Sequence, residues 1–129
     1  MAEAEAAIKS RLETQVGNLS SATAIWALLA PPTATMPFLT FEVITETPTN
    51  VMGVETKPTE CLFQVSIFAG TFLEAVNITN DVRTALTRYR GTTNSVVVQD
   101  IFYEQRNDFF SEADNTYQRV LDFRMYYEE

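Results

Sequence analysis

The stretch Thr116-Tyr117-Gln118-Arg119-Val120-Leu121-Asp122-Phe123-Arg124-Met125-Tyr126-Tyr127 decides the fold. Tyr117, Leu121, Phe123, Met125 and Tyr127 fall on every other position together with Arg119. Gln118, Asp122 and Arg124 hold the opposite phase, beside Val120 and Tyr126. A period of two is that of a strand with one buried and one mostly wet face. Upstream, residues 95–110 begin with Val96-Val97-Val98, stay rich in aromatic residues, and turn charged at Glu104, Arg106 and Asp108. The two segments read as a long antiparallel pair joined by the polar residues 111–115.

Working back from that hairpin, residues 60–69 alternate again, with Cys61, Phe63, Val65, Ile67 and Ala69 against Leu62, Gln64, Ser66 and Phe68. Residues 38–46 do the same, and Leu39, Phe41, Val43 and Thr45 form the better core set. Between these strands, residues 47–59 are polar, contain Pro48, Gly53 and Pro58, and follow neither period. They read as a long loop, in which Val51, Met52 and Val54 are what a partner would bury.

Two helices complete the pattern. After Gly70, Thr71 and Glu74 have the spacing of a capping box, and Phe72, Ala75, Val76, Thr79, Val82, Leu86 and Tyr89 follow a helical stripe. Arg88 and Arg90 would occupy the last turn and Gly91 the left-handed stop, giving a helix over 72–90 that crosses the sheet. Residues 2–16 form a second helix with a narrow stripe of Ala4, Ile8, Leu12 and Val16, suited to lie over a sheet edge or against a neighbouring subunit. Residues 22–29, anchored by Trp26, make a short edge strand that Pro31 and Pro32 end. The order predicts a single α+β domain over 1–129: a mainly antiparallel sheet of four to five strands with two helices packed on one face.

Composition narrows the function. The chain has 129 residues, a net charge of -8, no histidine and one cysteine. Without histidine the usual general base and the commonest metal ligand are missing, and a lone thiol builds neither a disulfide nor a zinc site. The nine basic residues are scattered along the sequence, which argues against a broad DNA-gripping face. No apolar run reaches the roughly 20 residues of a membrane span, and the acidic start lacks the basic region of a secretory signal. A reducing, cytoplasmic origin fits the lone cysteine.

Candidate chemistry is sparse. Asp100 and Glu104 fall on one strand about 13 Å apart at about 3.3 Å per residue, too far for the carboxyl pair of a glycosidase. Cys61 has no histidine to activate it and reads as a packed residue. The four isolated glycines form no phosphate loop. Arg106, Asp108, Arg119, Asp122 and Arg124 are placed for cross-strand ion pairs that set register or subunit pairing. No catalytic, cofactor or metal site is expected.

The succession of a helix start at Thr71-Phe72-Leu73-Glu74-Ala75, strands at Met36-Pro37-Phe38-Leu39-Thr40-Phe41 and Phe63-Gln64-Val65-Ser66-Ile67-Phe68-Ala69, the segment Ile101-Phe102-Tyr103-Glu104, and the closing run 117–127 resembles the tail-completion proteins of siphovirus-like phages, also called tail terminators or tail-to-head joining proteins. The resemblance covers about residues 4–127. It implies a non-enzymatic virion protein of the tail and neck, assembled in the host cytoplasm. It also implies a hexameric ring that caps the finished tail tube, meets the tube protein and the head-completion or connector protein, and lets DNA pass through its lumen without sequence-specific binding. An acidic lumen would repel phosphate. Subunit or partner contacts are then expected at Val51, Met52 and Val54 in the loop; at Arg106, Asp108, Phe109 and Phe110 on the hairpin; and on a strand face bearing Arg119, Asp122, Arg124 and Tyr126. The alternatives are another neck component, such as a head-completion or stopper protein, and a small cytoplasmic α+β binding module or enzyme with a pocket beneath the 72–90 helix.

Overall fold

The computed structural model describes residues 4–15, 25–27, 37–48, 58–93, 96–113 and 115–128. In chain order these form α1 (Ala4–Gln15), β1 (Ile25–Ala27), β2 (Phe38–Pro48), β3 (Thr59–Ala69), α2 (Phe72–Leu86), β4 (Gly91–Thr93), β5 (Val96–Ser111) and β6 (Thr116–Glu128). The expected loop over 47–59 falls largely outside the described residues, as does the side chain of Trp26.

The six strands lie in one sheet in the order β1-β2-β3-β6-β5-β4. All neighbours are antiparallel except the edge pair β1 and β2. The short β4, absent from the sequence reading, adds the sixth strand. The closing strand β6 lies between β3 and β5 and is paired with both from Tyr117 to Tyr127. The hairpin that organises the sequence is therefore embedded in the sheet. Just before β6, Asn115 takes the left-handed conformation at φ 51°; asparagine tolerates it better than most residues.

The core lies between the sheet and the helices. Leu39, Phe41, Phe63, Val65, Ile67, Leu121, Phe123, Met125 and Tyr127 point inward and are buried. Each large apolar side chain so buried contributes about 1.5–3 kcal/mol. Phe63 and Phe123 stack at 5.3 Å, and Tyr103 tilts against Phe123 at 5.5 Å. From α1 come Ala4, Ala7, Ile8 and Leu12. That helix packs on α2 and over β1 and β2, and Arg11 Nε donates to the Ala85 carbonyl at 2.8 Å.

Three bulges shift the phase that strict alternation assumes. The β2–β3 register slips between Val43 and Thr45, so Thr45 leaves the core set and is exposed. Slips between Val98 and Asp100 and between Tyr103 and Gln105 turn Val96, Val98, Ile101 and Tyr103 inward and send Gln105 outward. An extra residue on one strand reverses every later side chain, and a sequence pattern alone does not place it.

The second helix is shorter than expected. It ends at Leu86 rather than near Arg90, and its buried stripe is Ala75, Ile78, Thr79, Val82, Ala85 and Leu86. Phe72 is left 57% exposed, and Val76 is not in the core. The left-handed residue is Arg88, at φ 61°, while Gly91 opens β4. Tertiary pairing outweighs the local stop signal here, because the Arg88 N–H donates to the Ile101 carbonyl at 2.7 Å and ties the chain to β5. At the other end, the Thr71 hydroxyl accepts the Glu74 N–H at 3.2 Å. That is one half of the expected capping box; among the described residues Glu74 makes no return bond. From that cap α2 carries the chain across β3, β6 and β5.

Candidate assembly surface

With both helices on one side, the opposite face of the sheet carries no described helix. Register brings its side chains into rows across β3, β6 and β5. One row is Gln64, Asp122 and Gln105: both amides donate to the Asp122 carboxylate, at 2.9 and 2.6 Å. The next is centred on Arg124, which donates to Glu104 on one side at 2.5 Å and to Glu60 on the other at 2.6 Å. The hydrogen bond that Arg124 donates to Glu104 and the charge of Glu60 hold its guanidinium above its already high ordinary pKa, so it stays a cation at any ordinary pH. Tyr126 reaches Glu60 through its hydroxyl and sets its ring edge-on to Phe102 at 6.0 Å. At the far end of the face Phe38 and Phe68 stack at 4.9 Å.

The sheet is also open along β5. β4 pairs only with Val96–Val98, and the Arg88 N–H takes the Ile101 carbonyl. Beyond that point, among the described residues, β6 is the one strand beside residues 102–111 and their outer side has none, and every side chain from Glu104 to Ser111 is exposed. A long edge of free backbone donors and acceptors is a template for another strand. Near its end Phe110 leans on Tyr117 at 4.7 Å, Phe72 meets Tyr117 edge-on at 6.0 Å, and the Arg119 guanidinium lies 5.3 Å from the Phe72 ring. Phe72, Leu73, Phe109 and Phe110 are all about half exposed or more. Hydrophobic residues gathered like this at one end of a molecule mark a contact surface.

The charges are less scattered in space than in sequence. Arg83 lies over the Tyr103 ring and Arg88 over Phe102; Arg88 and Arg90 pair with Asp100 at 2.8 and 3.2 Å. With Arg106, Arg119 and Arg124, six of the nine basic residues stand on or beside β5 and β6. The acidic series is matched to them: Asp108 takes both Arg106 and Arg119, at 3.3 and 3.4 Å. Asp100 and Glu104 therefore serve ion pairs and form no acid–base couple.

Of the expected contact residues, Asp122, Arg124 and Tyr126 share the uncovered face, and Arg106, Asp108, Phe109 and Phe110 lie along the open edge. Arg119 does not join the first group. It sits on the helix side, 6% exposed, under Phe72, because an odd position on unbulged β6 faces away from Asp122 and Arg124. Val51, Met52 and Val54 lie outside the described residues. Sequence reasoning missed Glu60, Gln64 and Gln105, whose only signal was a polar residue on the wet phase of a strand, and the exposed pair Phe72 and Leu73.

Burial, with Glu46 and Glu5 nearby, pushes the Cys61 thiol up to about 12. Among the described residues no three His, Cys, Asp or Glu side chains form a group that could hold a metal ion, and no helix is long and apolar enough to cross a membrane. A depression of about 240 Å³ is lined by residues of the uncovered face, among them Leu62, Asp122 and Arg124, and a shallower one of about 330 Å³ lies against α2 at Asn80, Arg83, Thr84 and Thr87.

Fold and surface together define a class: an α+β protein whose one-sided sheet leaves a broad face and a strand edge for other chains. Comparison with known proteins gives the family. Residues 6–128 match the model of the family described as tail completion protein gp17, and the chain belongs to that family. It is a phage tail structural protein. Its fold is shared with a solved chain titled "Virion of native gene transfer agent (GTA) particle", 13% identical over the whole of both chains with a TM-score of 0.69. A second solved chain is 13% identical over 96% of this chain and 91% of the other, with a TM-score of 0.57. No curated protein sequence matches significantly.

Proposed function

We propose that several copies of this protein close into a ring at the head-proximal end of the tail tube, end polymerisation of the tube protein, and join the tail to the head. The ring is hexameric by resemblance to the family. It acts without catalysis, by presenting one surface to the tube protein and another to the head-completion or connector protein, after assembly in the host cytoplasm. What carries the reading is the family match over residues 6–128, together with a sheet that, among the described residues, is open on one face and along part of β5. A ring covers edges that a single copy leaves bare. The net charge of -8 suits a passage that lets the genome through without holding it.

Deletion of the gene in the parent phage tests this. The expected result is DNA-filled heads separate from tails, with tube lengths no longer uniform. Tails of normal length beside heads that have lost their DNA would assign the protein to head completion instead. Intact virions lacking only an activity would overturn the reading.

A further inference from the structure

Among the described residues two strands of this sheet have an open edge, and the two edges are complementary in direction. Along β2, β1 pairs only with Leu39–Phe41, so among the described residues the outer side of 42–48 has no strand. Along β5 the open part is 102–111. β2 is antiparallel to β3, β3 to β6 and β6 to β5, so β2 and β5 run in opposite directions. A second copy set beside the first in the same orientation therefore brings its β2 against β5 as an antiparallel neighbour. Both edges stand in solvent: every side chain of residues 44–48 and of residues 104–111 is exposed.

We propose that the β5 edge, residues 102–111, is completed by the β2 edge, residues 42–48, of a second copy of this chain, so that copies join head to tail through one continuous antiparallel sheet. The inference rests on the ring reading above and says which surfaces make the ring. Because the two patches differ, the contact repeats from copy to copy and closes only when the rotation allows, as a ring requires. The register also supplies a stagger. Thr45, Leu62, Arg124 and Phe102 form one row across the sheet, so the open half of β2 lies level with the start of the open part of β5. Centring one on the other shifts neighbouring copies by about four residues, ~13 Å. A sheet that closes on itself needs such a stagger.

The first test uses Asn107→Pro and Asp108→Pro. Successive residues of a strand aim their N–H groups to opposite sides, so one of the two variants removes only an outward donor. That variant should melt within a few degrees of the parent and associate at least tenfold more weakly, read by light scattering with and without tube protein. A normally folded outward-donor variant that keeps the parent's mass would overturn the proposal. The second test needs no proline. Single cysteines at Glu42, Thr45 or Thr47 are mixed with single cysteines at Gln105, Asn107 or Phe109, all on the uncovered side of their strands. Buried Cys61 does not interfere. Oxidation should link two copies only in the mixtures and in one register. Links among β5 variants alone would mean a two-fold contact and overturn the head-to-tail arrangement. An oligomeric parent that gives no link overturns the proposal but leaves the ring, whereas a parent that stays single even with tube protein overturns both.

Discussion

Truncating Phe123 tests the claim that only one face of the sheet is core. Phe123 is 1% exposed on the central strand β6, held between Phe63 at 5.3 Å and Tyr103 at 5.5 Å. Phe→Ala in a core costs about 3–5 kcal/mol, and loss of two ring contacts places this one near the upper end. At about 4 °C per kcal/mol for a chain of this size, the melting temperature should fall by about 15–20 °C. With total stability of about 5–15 kcal/mol, the variant approaches unfolding at room temperature. Phe68→Ala is the control. Phe68 lies on the uncovered face of β3, half-buried, with Phe38 stacked on it at 4.9 Å. Its loss should cost about 1–2 kcal/mol, a fall of about 4–8 °C. Both values come from thermal melts followed by circular dichroism, checked by urea midpoints. Equal losses at the two positions would refute the one-sided core, since they would mean that a second layer covers Phe68.

Three further outcomes follow from the same structure. Thr71→Ala removes the side-chain acceptor of the Glu74 N–H and should cost about 1 kcal/mol, read as a fall of a few degrees in the melt. Cys61 has a folded pKa of about 12 against 9.0 for the free thiol, so the folded state favours the protonated form. Its stabilising contribution is present below pH 9 and lost as pH rises toward 12; Cys61→Ala should flatten the alkaline fall in stability, and native Cys61 should resist alkylation at pH 8 until denaturant is added. Exchanging the charges of Asp122 and Arg124 breaks both polar rows of the uncovered face, and should weaken association with tube protein or other copies at least tenfold while the melt moves by only a few degrees. Equal loss of folding and association would remove these residues from the contact surface.

Alternation at 117–127 and 61–69 was enough to place β6 and β3 and to name their inward sets, because those strands carry no bulge and the period of two holds along their length. The cap at Thr71 was legible for the same local reason. β2 and β5 were legible only up to their bulges, so Thr45 changed sides and Gln105 went unnoticed until the register was known. The contact surface was half readable. Asp122, Arg124 and Tyr126 stand on one phase of one strand, but their partners Glu60, Gln64 and Gln105 come from strands far away in sequence, and no local pattern joins them.

By itself, then, the sequence determined an α+β chain with no histidine and one thiol, and a closing strand with a wet and a dry face. The tertiary structure decided where that strand sits: between β3 and β5, fully paired. It also decided that six of the nine dispersed arginines and lysines meet around β5 and β6, and that, among the described residues, β2 and β5 are the strands left partly open. Periodicity is fixed by neighbours in the chain, whereas strand order, bulges and charge clustering are fixed by residues brought together only when the sheet closes over its core.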